Sequence, residues 1–214
     1  MTHDTASLLA TLVADADPVR RLAPPWRRAG LYLSFAAAVL AGLALLRGVR
    51  PDLAAQFGSV DFLLATSSAL LTGVTGVLAA LLLAAPDRTR LWIALPLASA
   101  ALWLGAVGLG CLRGWVALEP GALDPAELAS CSLTVVLAGT PLTLAMLALL
   151  RRAAPLRPAL PLAAAALAAA GITATALGLL HSIGASALVL AWTAGIIGLA
   201  LLAHGLAARL VRPA

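Results

Sequence analysis

The sequence predicts an all-α integral membrane protein: a six-transmembrane-helix bundle with both termini cytoplasmic and a short N-terminal amphipathic helix. Three observations predict it. Hydrophobic residues make up 62% of the 214 and charged residues only 11%, whereas a soluble domain is about half apolar and about a quarter charged. The apolar residues fall in six runs, each close to the ~20 residues a helix needs to cross a bilayer. The arginines lie outside those runs and mostly on alternate sides of them. A net charge of +5 would point to nucleic acid in a soluble protein. Here it reads as topology signal, so the expected surroundings are membrane lipid, with no direct nucleic-acid contact.

The leading segment, residues 1–28, is polar, with Asp4, Asp15, Asp17 and four arginines. It has no early apolar core of a cleavable signal and is expected to persist as a working segment. The sequence predicts a helix over residues 5–15 with Asp4 or Thr5 as N-cap. Leu8, Leu9, Leu12 and Val13 form one apolar stripe on it; Asp15, Asp17 and Pro18 end it. An interfacial helix would favour Lys and Arg on its polar face, whereas this one is acidic and hydroxylated. An apolar stripe edged with carboxylates suits a basic protein groove, with membrane lying or disorder as the alternatives.

The six spans follow in order at residues 29–46, 62–84, 91–109, 130–150, 161–180 and 187–207, and 208–214 is the tail. None contains Asp, Glu, Arg or Lys, and without strand alternation such runs are helices, because lipid offers the backbone no hydrogen bonds. Pro96 and Pro141, inside the third and fourth spans, predict kinks. Small residues recur every fourth position at Ser68, Thr72, Gly76 and Ala80, at Ala166, Ala170, Ala174 and Gly178, and at Ala187, Ala191 and Gly195, a pattern that lets helices approach in lipid. The N-terminal segment, the second and fourth loops and the tail carry 11 arginines. The odd-numbered loops carry three, Arg47, Arg50 and Arg113. The positive-inside rule then puts both termini in the cytoplasm. Trp26, Trp92 and Trp115 fit interfacial positions, while Trp103 and Trp192 sit deeper.

Within the spans the only ionisable side chain is His204, so a pump or charged-residue permease has no pathway to use. No P-loop, HExxH or dinucleotide fingerprint occurs, and no catalysis is expected. Chemical content gathers on the outer face, where the topology puts both cysteines. Cys111 closes the third span and Cys131 opens the fourth, ends that an antiparallel pair would bring together. His181 starts the fifth loop on the same side. Three readings stand: a disulfide or redox-sensitive pair, as an oxidising periplasm allows; a soft-metal site of Cys111, Cys131 and His181; and inert buried thiols. Self-association of the bundle is left open.

Together these features resemble a known family. A short leading helix, then Pro18–Val19–Arg20–Arg21–Leu22 with Pro24–Pro25, then six spans, resembles the NrsF-type membrane anti-sigma factors. Arg50–Pro51–Asp52–Leu53, Gly110–Cys111–Leu112–Arg113–Gly114–Trp115 and Ser130–Cys131 match the same pattern. The resemblance implies that the N-terminal segment sequesters an extracytoplasmic-function (ECF) sigma factor at the bacterial inner membrane. Its binding residues would be Leu8, Leu9, Leu12, Val13, Asp15, Pro18, Val19, Arg20 and Arg21. It also implies release on metal or oxidative stress sensed at outer-face cysteines, with Cys111 and Cys131 at the matching positions. Where the family often has His-Cys in the fifth loop, this chain has His181–Ser182. The third and fourth spans, capped by the cysteines, are the expected route for the signal. Other functions carried forward are a membrane thiol redox protein and a small permease.

Overall fold

A computed structural model describes residues 5–15, 23–115, 125–153 and 158–181. They form helices throughout, with no strand among the described residues. The leading helix α1 spans Thr5–Ala14, within a residue of the expected bounds. Helix α2, Pro25–Arg47, starts four residues before the predicted first span, because Pro25 occupies N1, where its fixed φ suits the helix and its missing N–H costs nothing. It stops at Gly48, whose φ of +79° is a conformation other residues resist. A short turn, α3 (Leu53–Gln56), leads to α4, Val60–Leu83, capped by the Ser59 hydroxyl accepting from the Phe62 N–H.

The third span opens with a 3₁₀ turn, Arg90–Ile93, and continues as α5, Ala94–Trp115. That start corrects the expected kink at Pro96. The proline falls in the first turn of α5, where the N–H it lacks has little use. Helix α6, Pro125–Ala153, keeps Pro141 in its interior. Helix α7, Ala159–Leu180, runs to the predicted end of the fifth span. Five helices among the described residues are long and apolar enough to cross a membrane. The predicted sixth span, 187–207, with its small-residue stripe, Trp192 and His204, and the tail 208–214 lie outside the described residues.

The centre is the pair α4 and α7, which pack mainly on each other. Their backbones touch through glycine. A β-carbon on Gly171 would collide with the Ala69 carbonyl and come within 2.5 Å of the Gly73 nitrogen. One on Gly76 would stand 2.8 Å from the Ala168 nitrogen and 2.9 Å from the Ala164 oxygen. The predicted stripe of α4 is the contact face: Ser68, Thr72, Gly76 and Ala80 are all buried. On α7 the contact ridge is instead Ala164, Ala168, Gly171 and Gly178. Its spacing alternates four and three, close to the 3.5-residue repeat of helices that coil together, and the predicted every-fourth stripe shares only Gly178 with it. Buried hydroxyls on these helices bond back to carbonyls one turn earlier, as Thr72 does to Ser68 (2.7 Å) and Thr175 to Gly171 (2.8 Å). Thr75 and Ser99 join α4 to α5 at 3.1 Å.

Around this pair, α5 lies mainly on α4, while α6 lies on α7 and α2. The antiparallel pairing of the third and fourth spans expected from the sequence is therefore not the packing observed: neither α5 nor α6 has the other as a principal neighbour. Trp103 of α5 is buried beside Cys131 and Val135 of α6 in one small cluster, as its depth in the span predicts. Trp26 is 70% exposed near the start of α2, where an interfacial tryptophan belongs.

Candidate functional site

The helix order sorts the described arginines between two ends. Arg27, Arg28, Arg88, Arg90, Arg151 and Arg152 share one end with the start of α2 and the end of α6. Arg47 and Arg50 stand at the other, with the start of α6 and the end of α7. This segregation is the one read from the loops.

The outer end, with Arg47 and Arg50, is a woven structure. The Arg47 guanidinium, closing α2, donates through Nη1 to the Ser130 carbonyl (3.2 Å) and hydroxyl (2.8 Å) on α6. The next residue is Cys131, only 1% exposed. One turn further, Thr134 donates to the Ser130 carbonyl (3.0 Å) and its hydroxyl lies 2.8 Å from His181 Nε2. His181 caps the end of α7 in an extended conformation. Beside it, the Arg50 backbone N–H donates to the Leu179 carbonyl (3.2 Å), tying the first loop to α7. The Arg50 side chain grips Asp52 with both arms of its fork, each at 2.7 Å, and lies 5.7 Å from the centre of the Phe62 ring. Hydrogen bonds from Arg50, with help from Gln56, hold the Asp52 carboxyl at about 2, below its ordinary 3.8.

Of the predicted sensory residues, the fold therefore brings Cys131 and His181 to one place, joined through Thr134. Cys111 lies in the last turns of α5 at the same end, with its side chain outside the described residues. Among the described residues no three His, Cys, Asp or Glu side chains stand together to hold a metal ion. His181 Nε2 already faces a hydroxyl, so a metal ligand set would need donors beyond the described ones. Sequence reasoning missed Arg47, Ser130 and Thr134. A signal for Arg47 was present, because an arginine ending a span beside a run of polar residues needs an acceptor.

At the arginine-rich end the same two helices meet again. Arg28, one turn into α2, donates to the Leu149 carbonyl of α6. The Tyr32 hydroxyl, 1% exposed, donates to the Leu142 carbonyl (3.1 Å), next to Pro141. Helix α2 is thus strapped to α6 at both ends by its own polar side chains.

Ahead of α2 stands α1, which has no principal packing partner in the bundle. Leu9, Leu12 and Val13 are 57%, 61% and 73% exposed. Asp15, in the turn that follows, is also exposed. The apolar stripe is real and uncovered. The side chain of Leu8 lies outside the described residues, as do Pro18, Val19, Arg20 and Arg21 entirely.

A family model, NrsF, negative regulator of sigma F, matches residues 12–212. The chain belongs to this family. The match takes in nearly everything from the last turns of α1 onward, so the NrsF frame includes Leu12, Val13, both cysteines and all five described spans. Comparison with curated proteins and with solved structures finds no match.

Proposed function

We propose that this NrsF-family chain is a non-enzymatic anti-sigma factor, multi-pass in a bacterial inner membrane, whose cytoplasmic N-terminal arm holds an ECF sigma factor. The observation that carries the reading is the uncovered Leu9, Leu12 and Val13 face of α1, at the head of the span that begins the bundle. Membership in a family of negative regulators of sigma F supports a sigma factor as its occupant. The arginine segregation supports an arm on the cytoplasmic side and a cysteine end facing outward.

Stress is sensed around Cys131, Cys111 and His181. The Cys131 thiol is buried, so an oxidant or soft metal ion reaches it only when α6 parts from its neighbours. Parting breaks the Arg47–Ser130 and Thr134–His181 links. Arg47 belongs to α2, and α2 continues the arm. The signal therefore travels along α2 and α6 rather than the third and fourth spans. Moving a sigma factor from 99% held to 99% released needs a differential of about 5.5 kcal/mol, the scale of several such links together.

The test is co-purification of the sigma factor with the full chain and a sigma-dependent reporter in the same cells. Leu9→Asp with Leu12→Asp removes the partner and raises basal output while the chain stays in the membrane. Retention of the partner by that variant contradicts the arm. Cys131→Ser leaves basal repression intact and blunts induction; unchanged induction in Cys131→Ser and Cys111→Ser alike contradicts the thiol sensor.

A further inference from the structure

Two adjoining hollows lie at the arginine-rich end, on either side of residues 88–91, and neither belongs to the arm or to the cysteine end. The first is a cleft of about 290 Å³ between the end of α4 and the start of α7. Leu83, Leu160 and Pro161 give it apolar walls, and Arg88 and Arg90 stand at its mouth. The Arg88 side chain is half exposed and its only described anionic neighbour is Asp87, at 3.8 Å, a long pair that leaves most of the guanidinium's donors open. Arg90 is exposed. The second hollow is a groove of about 460 Å³ running from Thr89 along the first turns of the third span, lined by Leu91, Trp92, Leu95 and Ala98. Leu91 is 78% exposed, Leu95 46% and Trp92 38%.

The order of these features along the span axis matches one kind of molecule. Cationic donors come at the helix end, where a bilayer keeps its phosphates, and an amphipathic ring sits just inside, at headgroup level. An apolar channel then continues toward the hydrocarbon. Two guanidiniums beside a hollow favour a phosphodiester, which guanidinium forks bind well. An uninterrupted apolar groove favours an acyl chain. A free phosphate would use the cleft and leave the groove idle.

We propose that this is a site for an anionic phospholipid, its headgroup in the Arg88–Arg90 cleft and one acyl chain along Leu91, Trp92 and Leu95. The occupant carries a net negative headgroup, because the two arginines have only one nearby carboxylate to offset them. The site does not depend on which face of the membrane it occupies or on the sigma-binding reading.

The experiment is native mass spectrometry of the full chain released from micelles with added phosphatidylglycerol or phosphatidylcholine of identical acyl chains. Wild type retains phosphatidylglycerol preferentially. R88Q/R90Q weakens it about 25-fold, at about fivefold per arginine near the headgroups, and leaves phosphatidylcholine unchanged. R151Q/R152Q removes the same charge from the same end and shifts affinity less than twofold. Leu95→Gln weakens both lipids, and millimolar inorganic phosphate fails to displace phosphatidylglycerol. Equal retention of the two lipids by wild type overturns the site. An equal loss in R151Q/R152Q does so too, since the attraction would then be the general charge of that end. Displacement by phosphate overturns the lipid in favour of a free anion.

Discussion

The pair α4 and α7 and the pair α2 and α6 solve the same problem in opposite ways. In the first, glycine and alanine let two backbones touch, and more than half of each span is buried. In the second, α2 is only 22% buried and is held by Arg28, Tyr32 and Arg47, each reaching to α6. Close backbone contact gathers many small attractions that fail together. Long polar straps fail one at a time. The comparison teaches which part of the bundle is frame and which part can move: the helix that bears the arm is the one held by releasable links.

The largest effect expected from breaking this contrast is at Gly171. A leucine there must enter space occupied by the Ala69 carbonyl and the Gly73 backbone. Overpacking of this kind costs about 3 kcal/mol, so Gly171→Leu lowers the amount of folded protein, read as loss of the monodisperse peak in detergent. Next comes Arg47→Gln. It removes both contacts to Ser130, and about 1 kcal/mol of lost restraint shifts a held–released equilibrium about fivefold. Folded protein stays at wild-type level while basal reporter output rises. If Arg47→Gln destabilises the chain as much as Gly171→Leu, the distinction between frame and strap fails.

Tyr32→Phe deletes one interhelical hydrogen bond and keeps the ring. Such bonds average about 0.6 kcal/mol in membranes, so its thermal midpoint falls only slightly and its output rises less than that of Arg47→Gln. The smallest effect is in the first loop. Asp52 is held at about 2 by Arg50, a folded value below the ordinary one. The stability it contributes is therefore complete above the ordinary carboxylate range and disappears as pH falls through about 2. Between pH 8 and pH 5 the Arg50–Asp52 pair contributes a constant amount. An Asp52 titration midpoint near 4, followed by carboxyl NMR, would sink this assignment.

Much of the architecture could be read in advance because the bilayer makes it one-dimensional. Long apolar runs have a single solution in lipid, and the fifth span ends at Leu180 as expected. The exposed stripe of α1 was likewise visible in the spacing of Leu9, Leu12 and Val13. Neighbour relations were not. Nothing local in the sequence says that α6 prefers α2 and α7 to the span before it, because in an alanine-rich chain every helix offers small residues. Pro96 misled for a related reason: a proline's effect depends on its distance from the helix start, and the 3₁₀ turn at Arg90–Ile93 moved that start. The link between Cys131 and His181 through Thr134 lies between those extremes. Both ends were nameable, but the threonine that joins them looked like any other polar residue in a span.

The most direct measurement of the central claim is side-specific labelling of the full chain in cells, with both native cysteines replaced by serine. Val13→Cys reports on the arm and Ala54→Cys, exposed in α3, reports on the first loop. The account predicts that a membrane-impermeant maleimide modifies Ala54→Cys in intact spheroplasts. It should reach Val13→Cys only after permeabilisation, and then more slowly when the sigma factor is co-expressed. Labelling of both positions from the same side, or a Val13→Cys rate indifferent to the sigma factor, would contradict it.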